Sequence, residues 1–167
     1  SGGMAQRVVI AIALACSPTL VISDDATSGL DVTVQAQILD LLKQLIRAND
    51  ASAIFITRDI AVTAHFCDRI AVLYAGEIVE LAAVGTFFDG PRHPYSIMLL
   101  AAFAYSAELR RHWTRPEGEQ ESLPPGGCSF AARCVRRQPR CLAERPALRA
   151  VPGGSSVRCH FPVGVAP

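Results

Sequence analysis

The stretch from Thr19 to Asp31 constrains the fold of this chain more than any other. Three branched apolar residues, Leu20 to Ile22, lead through one serine into the adjacent carboxylates Asp24 and Asp25. A short apolar run of this kind is typical of a strand buried on both faces of a parallel sheet. Open α/β sheets bind ligands at the carboxyl ends of such strands, which makes both carboxylates candidate site residues. The alternative is that the two aspartates simply follow the end of a strand and belong to no functional site.

The segment before this strand predicts a helix whose first turn suits an anion. Ser1-Gly2-Gly3 leads into the apolar run Val8–Ala15, and Pro18 is expected to end the helix. A helix start leaves several backbone N–H groups unpaired at the positive end of the helix dipole, a geometry that favours phosphate. A serine-capped helix start without a ligand is the alternative.

The remaining pattern predicts an α/β fold with further strands and helices. Apolar residues at helical spacing after Asp31 predict an amphipathic helix to about Ala48. Ala75-Gly76 is a hairpin turn signal. The other predicted elements are a strand over Ala53–Ile56, a helix over Ile60–Phe66, strands over Asp68–Tyr74 and Glu77–Glu80, and a helix from His93 to about Tyr105.

Several motifs, in this order and spacing, resemble those of ABC-transporter ATPases over about 100 residues. Ser1–Arg7 resembles the signature motif, Leu20–Asp24 the Walker B strand and Ser28–Asp31 the D-loop. Ile56–Ile60 resembles the switch region, and the strands after it are similar too. His93-Pro94-Tyr95, followed by an apolar helix, is similar to the ATPase subunits of dipeptide, oligopeptide and nickel importers. The resemblance implies the C-terminal part of a P-loop NTPase domain.

This resemblance implies a composite site for ATP and Mg²⁺ between two nucleotide-binding domains, each lending its signature helix to the other. The cofactor-binding residues that it implies, partly acting in trans, are Ser1, Gly2, Gly3, Gln6, Asp24 and Asp31. The implied partners are a second ATP-binding domain, permease subunits in the membrane and, indirectly, a substrate-binding protein, with no nucleic acid. The implied location is peripheral, at the cytoplasmic face of the plasma membrane.

The chain departs from the ATPase pattern in its own half of the site. ATP hydrolysis requires a phosphate loop with a lysine, but the single lysine, Lys43, lies in an apolar-patterned helix with no glycines before it. Asp25 stands where the family has glutamate, and Arg58 where it has histidine. The two candidate catalytic residues are therefore degenerate, and the chain alone is expected to be inactive. We predict a degenerate half that completes a partner's ATP site; a decaying or truncated product is the alternative.

The C-terminal tail differs in charge and in cysteine content. Residues 1–105 carry a net charge of −4 and residues 106–167 a net charge of +5. Four of the six cysteines lie in this tail, with the spacing C-x5-C-x6-C-x17-C: Cys128, Cys134, Cys141 and Cys159. Four thiolates suit tetrahedral zinc or an iron–sulfur cluster, while free or disulfide-bonded cysteines stay open. The tail resembles the C-terminal extension of peptide-importer ATPases, which implies a [4Fe–4S] cluster.

These observations predict three regions: residues 1–105 as the C-terminal portion of an ABC ATP-binding domain, 106–124 as a linker and 125–167 as a cysteine-rich extension. The predicted function is that of an ATP-binding subunit, in part, of an importer that couples ATP to peptide uptake. The alternatives are a truncated, non-transport metal-binding or interaction module and a soluble ABC ATPase of repair or translation. Cys16 and Cys67 are expected in the core, and His65 and His112 at the surface or in packing.

Overall fold

The computed structural model describes residues 2–25, 29, 31–103 and 126–165. The chain divides into two compact units, Ser1–Cys67 and Asp68–Pro167. Within the described residues, the first unit contains the helices α1 (Gly2–Leu14), α2 (Val32–Ala48) and α3 (Ile60–Phe66) and the strands β1 (Leu20–Asp24) and β2 (Ser52–Ile56). The second holds α4 (Val84–Asp89), α5 (Pro94–Phe103), α6 (Pro139–Ala143), β3 (Arg69–Tyr74), β4 (Glu77–Ala83), β5 (Arg149–Val151) and β6 (Ser155–Val157).

The first unit is built around the parallel pair β1 and β2, in register from Leu20 opposite Ser52 to Asp24 opposite Ile56. Helix α2 connects these strands, and its apolar stripe packs with α1 and with one face of the sheet. The buried core of this unit is Ile10, Val21, Ile38, Leu42 and Ile46. The predicted α/β organisation is confirmed.

The other face of this sheet differs from the prediction. Leu20, Ile22, Ile54 and Ile56 are all exposed, so β1 is buried on one face instead of two. The two-residue period of a strand places these four side chains on the face opposite the core. The prediction made from the apolar sequence is therefore confirmed for the strand and its parallel pairing. It is wrong for the second face of the strand, which is exposed.

The second unit is built on an antiparallel sheet with the order β3-β4-β6-β5. The hairpin between β3 and β4 turns at Ala75 (φ 49°) and Gly76 (φ 78°), and two positive φ values in succession fit a tight hairpin turn. Gly153 and Gly154 make the corresponding turn between β5 and β6. Ile70, Val72, Val79, Ala82 and Phe87 form the buried core.

The sheet of the second unit joins segments that the sequence divides between two regions. β6 pairs with β4 at Glu80–Val157 and Leu81–Ser156, so the tail contributes strands to the sheet that begins at Arg69. The boundaries 1–105, 106–124 and 125–167 stay a prediction. Among the described residues, no helix is both long and apolar enough to cross a membrane.

Candidate functional site

Asp24 and Asp25 lie at the carboxyl end of β1, as predicted. Asp24 is the last residue of the strand and is exposed. Asp25 has a φ of 47°, which few residues other than glycine adopt, and its N–H donates to the Ile56 carbonyl at 2.8 Å. That bond ties the residue after β1 to the end of β2. A non-glycine residue held in this region stores backbone strain of about 1 kcal/mol or more, as functional sites often do.

Arg58 follows β2 and forms an ion pair with Asp25. Its Nη2 lies 3.2 Å from Asp25 Oδ2. The two side chains are 87% and 42% exposed, so solvent screens the pair and its contribution to stability is about 0–1 kcal/mol. The pair therefore matters for where the Asp25 carboxylate points more than for stability. The two residues predicted as catalytic and degenerate are in direct contact with each other.

The residues of the signature and D-loop motifs have structural contacts of their own. Helix α1 begins at Gly2, and a Cβ added to Gly3 would lie 2.9 Å from Val34 Cγ1, so this glycine permits close packing of α1 on α2. Gln6 is half-buried. Asp31 is the N-cap of α2, and its carboxylate accepts the Val34 N–H at 2.9 Å. Ser1 lies outside the described residues.

The structure brings together Asp24, Asp25 and Arg58 at the ends of β1 and β2, and it places Gly2, Gly3 and Gln6 on the first turns of α1.

Lys43 has a structural role. Its ammonium donates to the His65 carbonyl at 2.8 Å, near the end of α3, and lies 5.2 Å from the centroid of the Phe66 ring. A cation over an aromatic ring and beside the carbonyls of a helix end is favourable on both counts. The contacts agree with the expectation that this lysine does not serve as a phosphate-loop lysine.

The four tail cysteines line one small cavity, the cysteine cavity, whose walls also include His93, Phe130, Arg136 and His160. Burial raises the pKa of Cys134 to about 11 and that of Cys159 to about 12, and it also raises the pKa of Cys128. Neighbouring thiols add smaller contributions in the same direction. Without a bound cation these thiols stay protonated at neutral pH and are poor nucleophiles.

The cavity is lined by soft sulfur donors, but their positions are not those of a preformed metal centre. Within the described segments, no group of three or more His, Cys, Asp or Glu side chains is arranged to hold a metal ion. None of the six cysteines, all of which lie in the described segments, forms a disulfide. Cys16, predicted in the core, is exposed because it lies in the turn after α1, where its side chain leaves the apolar face of that helix. Cys67 is half-buried as the C-cap of α3.

Comparison with known proteins agrees with the motif order. Residues 79–141 match the family model described as the C-terminal region of oligopeptide/dipeptide transporters. The dipeptide transport ATP-binding protein DppD of Escherichia coli K12 is 41% identical over 165 residues, covering 98% of this chain and 50% of that protein. Over nearly its whole length, the chain is similar in sequence to the ATP-binding proteins of peptide ABC transporters. It matches the part of such a protein that carries the C-terminal region.

Other relatives agree. The probable peptide ABC transporter ATP-binding protein y4tS of Sinorhizobium fredii is 47% identical over 163 residues, covering 96% of this chain and 46% of that protein. The chain spans about half the length of the curated relatives it matches. Among solved structures, the dimeric post-hydrolysis ATP-binding cassette MJ0796 bound to ADP and Pi aligns with 50% of this chain and 36% of its own, at 37% identity and a TM-score of 0.46.

The motifs did not identify the residues that hold the segment before α5 against the sheet of the second unit. Glu80 is fully buried and accepts the Arg92 and His93 N–H groups at 2.7 and 2.9 Å. The His93 ring accepts the Tyr95 N–H at 3.0 Å and so caps α5, and burial lowers its pKa to about 4. A histidine directly before Pro-Tyr and a helix is the one sequence signal that pointed here.

Phe130 is the second feature that sequence reasoning missed. It is buried in the tail, and its ring centroid lies 5.1 Å from Tyr74, 5.5 Å from Tyr95 and 5.7 Å from His93. These aromatic contacts form a wall between the cysteine cavity and the core of the second unit. The cavity is therefore supported by packing from β3 and α5 as well as by the tail itself.

Proposed function

We propose that the chain is part of an ATP-binding subunit of an ABC importer for peptides, acting at the cytoplasmic face of the membrane. Two of its relatives, the dipeptide transport ATP-binding protein DppD of E. coli and the oligopeptide transport ATP-binding protein AppD of Bacillus subtilis, support peptides as the substrate class. The partners in this proposal are a second ATP-binding domain and integral-membrane permease subunits, with a substrate-binding protein acting indirectly. ATP and Mg²⁺ are the shared ligands.

Within such a dimer, the chain serves its partner's ATP site better than its own. The observation that carries this proposal is the Arg58–Asp25 contact at 3.2 Å, because it occupies the carboxylate expected to position the attacking water. Asp25 is also one methylene shorter than glutamate, and a displacement of about 1 Å can cost roughly 100-fold in rate. Asp24 would contact Mg²⁺, and Ser1, Gly2, Gly3, Gln6 and Asp31 would act on the nucleotide of the partner.

Isolation of membrane complexes tests the transport function. An affinity tag on the native subunit is expected to recover permease subunits and a second ATP-binding subunit from detergent-solubilised membranes. Recovery of the tagged protein without integral-membrane subunits would contradict the proposal and favour the alternative, an interaction module without a transport role. The family match disfavours that alternative.

For the cysteine-rich region, residues 125–167, we propose that Cys128, Cys134, Cys141 and Cys159 hold a [4Fe–4S] cluster. Four thiols around one cavity are a donor set that suits such a cluster, which would cross-link the tail when bound. The thiols of the described structure are not arranged to hold a metal ion, so ligation requires these side chains to rearrange. Zinc is the second candidate, and free or disulfide-bonded cysteines the third.

Metal and sulfide analysis decides among these three states. Anaerobically purified protein is expected to be brown, with about four irons and four sulfides per chain and a charge-transfer absorbance that a Cys134→Ser variant loses. Cys16→Ser, an exposed cysteine outside the tail, is the matched control. A colourless preparation that contains zinc, or no metal at all after anaerobic reconstitution, contradicts the cluster.

A further inference from the structure

Helix α1 carries apolar side chains on its outer side as well as on the side that faces the core. Met4, Val8, Val9 and Ile12 are between 58% and 70% exposed. In the described part of this helix, Arg7 is the one exposed polar side chain. A helix at the surface of a complete domain has a polar outer face, whereas a helix that is apolar all round is normally buried. Helix α1 therefore has the composition of an interior element.

The outer face of the β1–β2 sheet has the same property. Leu20, Ile22, Ile54 and Ile56 are between 47% and 63% exposed, and they lie on the face opposite the buried core. Parallel sheets are covered on both faces, because their strands are apolar on both. This sheet therefore lacks one of its two covering layers within the described residues.

The two apolar surfaces lie on different sides of the first unit, because α1 packs on the covered face of the sheet together with α2. A second copy of this chain, in a twofold contact, would meet one surface and leave the other open. Four partly exposed side chains also offer much less than the about 800 Å² that each partner buries in a stable complex. One longer polypeptide segment is needed to cover both surfaces.

The relatives of this chain contain such a segment. The 165 matched residues are 50% of DppD of E. coli, so an unmatched part of about the same length remains in that protein. We propose that the outer surface of α1 and the outer face of the β1–β2 sheet, together the apolar interface, bind a segment like this unmatched part. The inference rests on the proposal that the chain is part of an ATP-binding subunit. It does not depend on the importer role, which the recovery of permease subunits tests separately.

Maleimide labelling, resolved by site with mass spectrometry, tests the apolar interface. Ile22→Cys and Ile12→Cys are labelled in the full chain and in a chimera of DppD in which this chain replaces the 165 matched residues. Both introduced thiols are expected to react roughly tenfold or more slowly in the chimera, because a covered thiol reacts only when the contact opens. Leu73→Cys, at a 60% exposed residue of β3, is the matched control and is expected to react equally fast in both proteins.

Equal labelling rates of Ile22→Cys in the chain and in the chimera overturn the inference. So does protection of Ile22→Cys without protection of Ile12→Cys, because one segment would then not cover both surfaces, and so does equal protection of Leu73→Cys. A chain that sediments as a dimer and already protects Ile22→Cys would assign the sheet face to a second copy. An aggregated chimera also contradicts the inference, since the unmatched part would then fail to cover these surfaces.

Discussion

Glu80 shows how a single residue positions the region around the cysteine cavity. Its side chain is fully buried in β4, and each carboxylate oxygen accepts one backbone N–H from the segment before α5. A buried carboxylate without partners would be strongly unfavourable, so these two bonds make the position tolerable. The sequence predicted Glu80 as a strand residue. It could not predict the role, because the partners are backbone groups 12 and 13 residues away.

Glu80→Gln is expected to destabilise the protein by about 2–3 kcal/mol, because one oxygen acceptor becomes an NH₂ group that faces an N–H donor. The free energy of unfolding in urea measures the change. Asp89→Asn, at the exposed end of α4, is the control and is expected to stay within about 0.5 kcal/mol of the wild type. Equal stabilities of the two variants would contradict the role of Glu80.

His93 is expected to make stability depend on acid pH. Burial lowers its pKa to about 4 from an ordinary value of 6.5, so the unfolded chain binds the proton first as pH falls. The contribution of neutral His93 to the free energy of unfolding is complete above pH 6.5. It declines by up to about 3 kcal/mol as the pH falls towards 4. Urea unfolding at intervals between these pH values measures the slope.

His93→Asn removes this titration while its amide oxygen still offers a cap to α5. The slope between pH 6.5 and pH 4 is expected to be shallower in this variant than in the wild type. His65→Asn, at an exposed histidine of α3, is expected to keep the wild-type slope. If both variants keep the wild-type slope of stability against pH, the pH dependence arises from groups other than His93.

At the scale of elements, the sequence predicts helices and strands best where an apolar pattern extends over many residues and the packing partners are close in the chain. Helix α2 and the parallel strands β1 and β2 follow directly from their apolar patterns. Helix α4 and the β5–β6 hairpin were not predicted, because six and three residues are too few to show a period. β6 is specified by its pairing with β4, which no local pattern reveals.

The close approach of α1 and α2 gives a test at this scale. Gly3→Ala is expected to lower the free energy of unfolding by about 1 kcal/mol, because the added Cβ would lie 2.9 Å from Val34 Cγ1. The cost of this overpacking exceeds the gain in helix propensity. In a Val34→Ala background the colliding methyl is gone, and Gly3→Ala is expected to be neutral or stabilising. Urea unfolding of the four proteins measures the cycle. Equal losses in both backgrounds would contradict this packing role.

At the scale of the whole molecule, the two compact units divide between Cys67 and Asp68. The boundary near residue 105 rests on a change of composition and charge along the sequence, and it stays a prediction. In the second unit, Arg158 N–H donates to the Val79 carbonyl at 2.8 Å, which continues the pairing of the tail with β4. The tail therefore contributes strands that are hydrogen-bonded into that sheet.

Removal of residues 126–167 is expected to unfold the second unit. The truncation takes away β6 and β5 and exposes the edge of β4. Amide hydrogen exchange is expected to show lost protection in β3 and β4, compared with a control chain that lacks residues 166–167. Unchanged protection of these strands would mean that residues 126–165 form an appended domain with no share in the stability of the sheet.

The rate of ATP hydrolysis by the complete transporter tests the central claim, that this chain serves its partner's ATP site through the signature helix. Ser1→Arg is expected to lower the rate roughly 100-fold, because the bulk of the arginine side chain would displace the γ-phosphate of the partner's nucleotide from the start of the helix. Asp25→Asn is expected to change the rate less than twofold, since Arg58 already occupies that carboxylate. The opposite pattern, loss with Asp25→Asn and an unchanged rate with Ser1→Arg, would contradict the account.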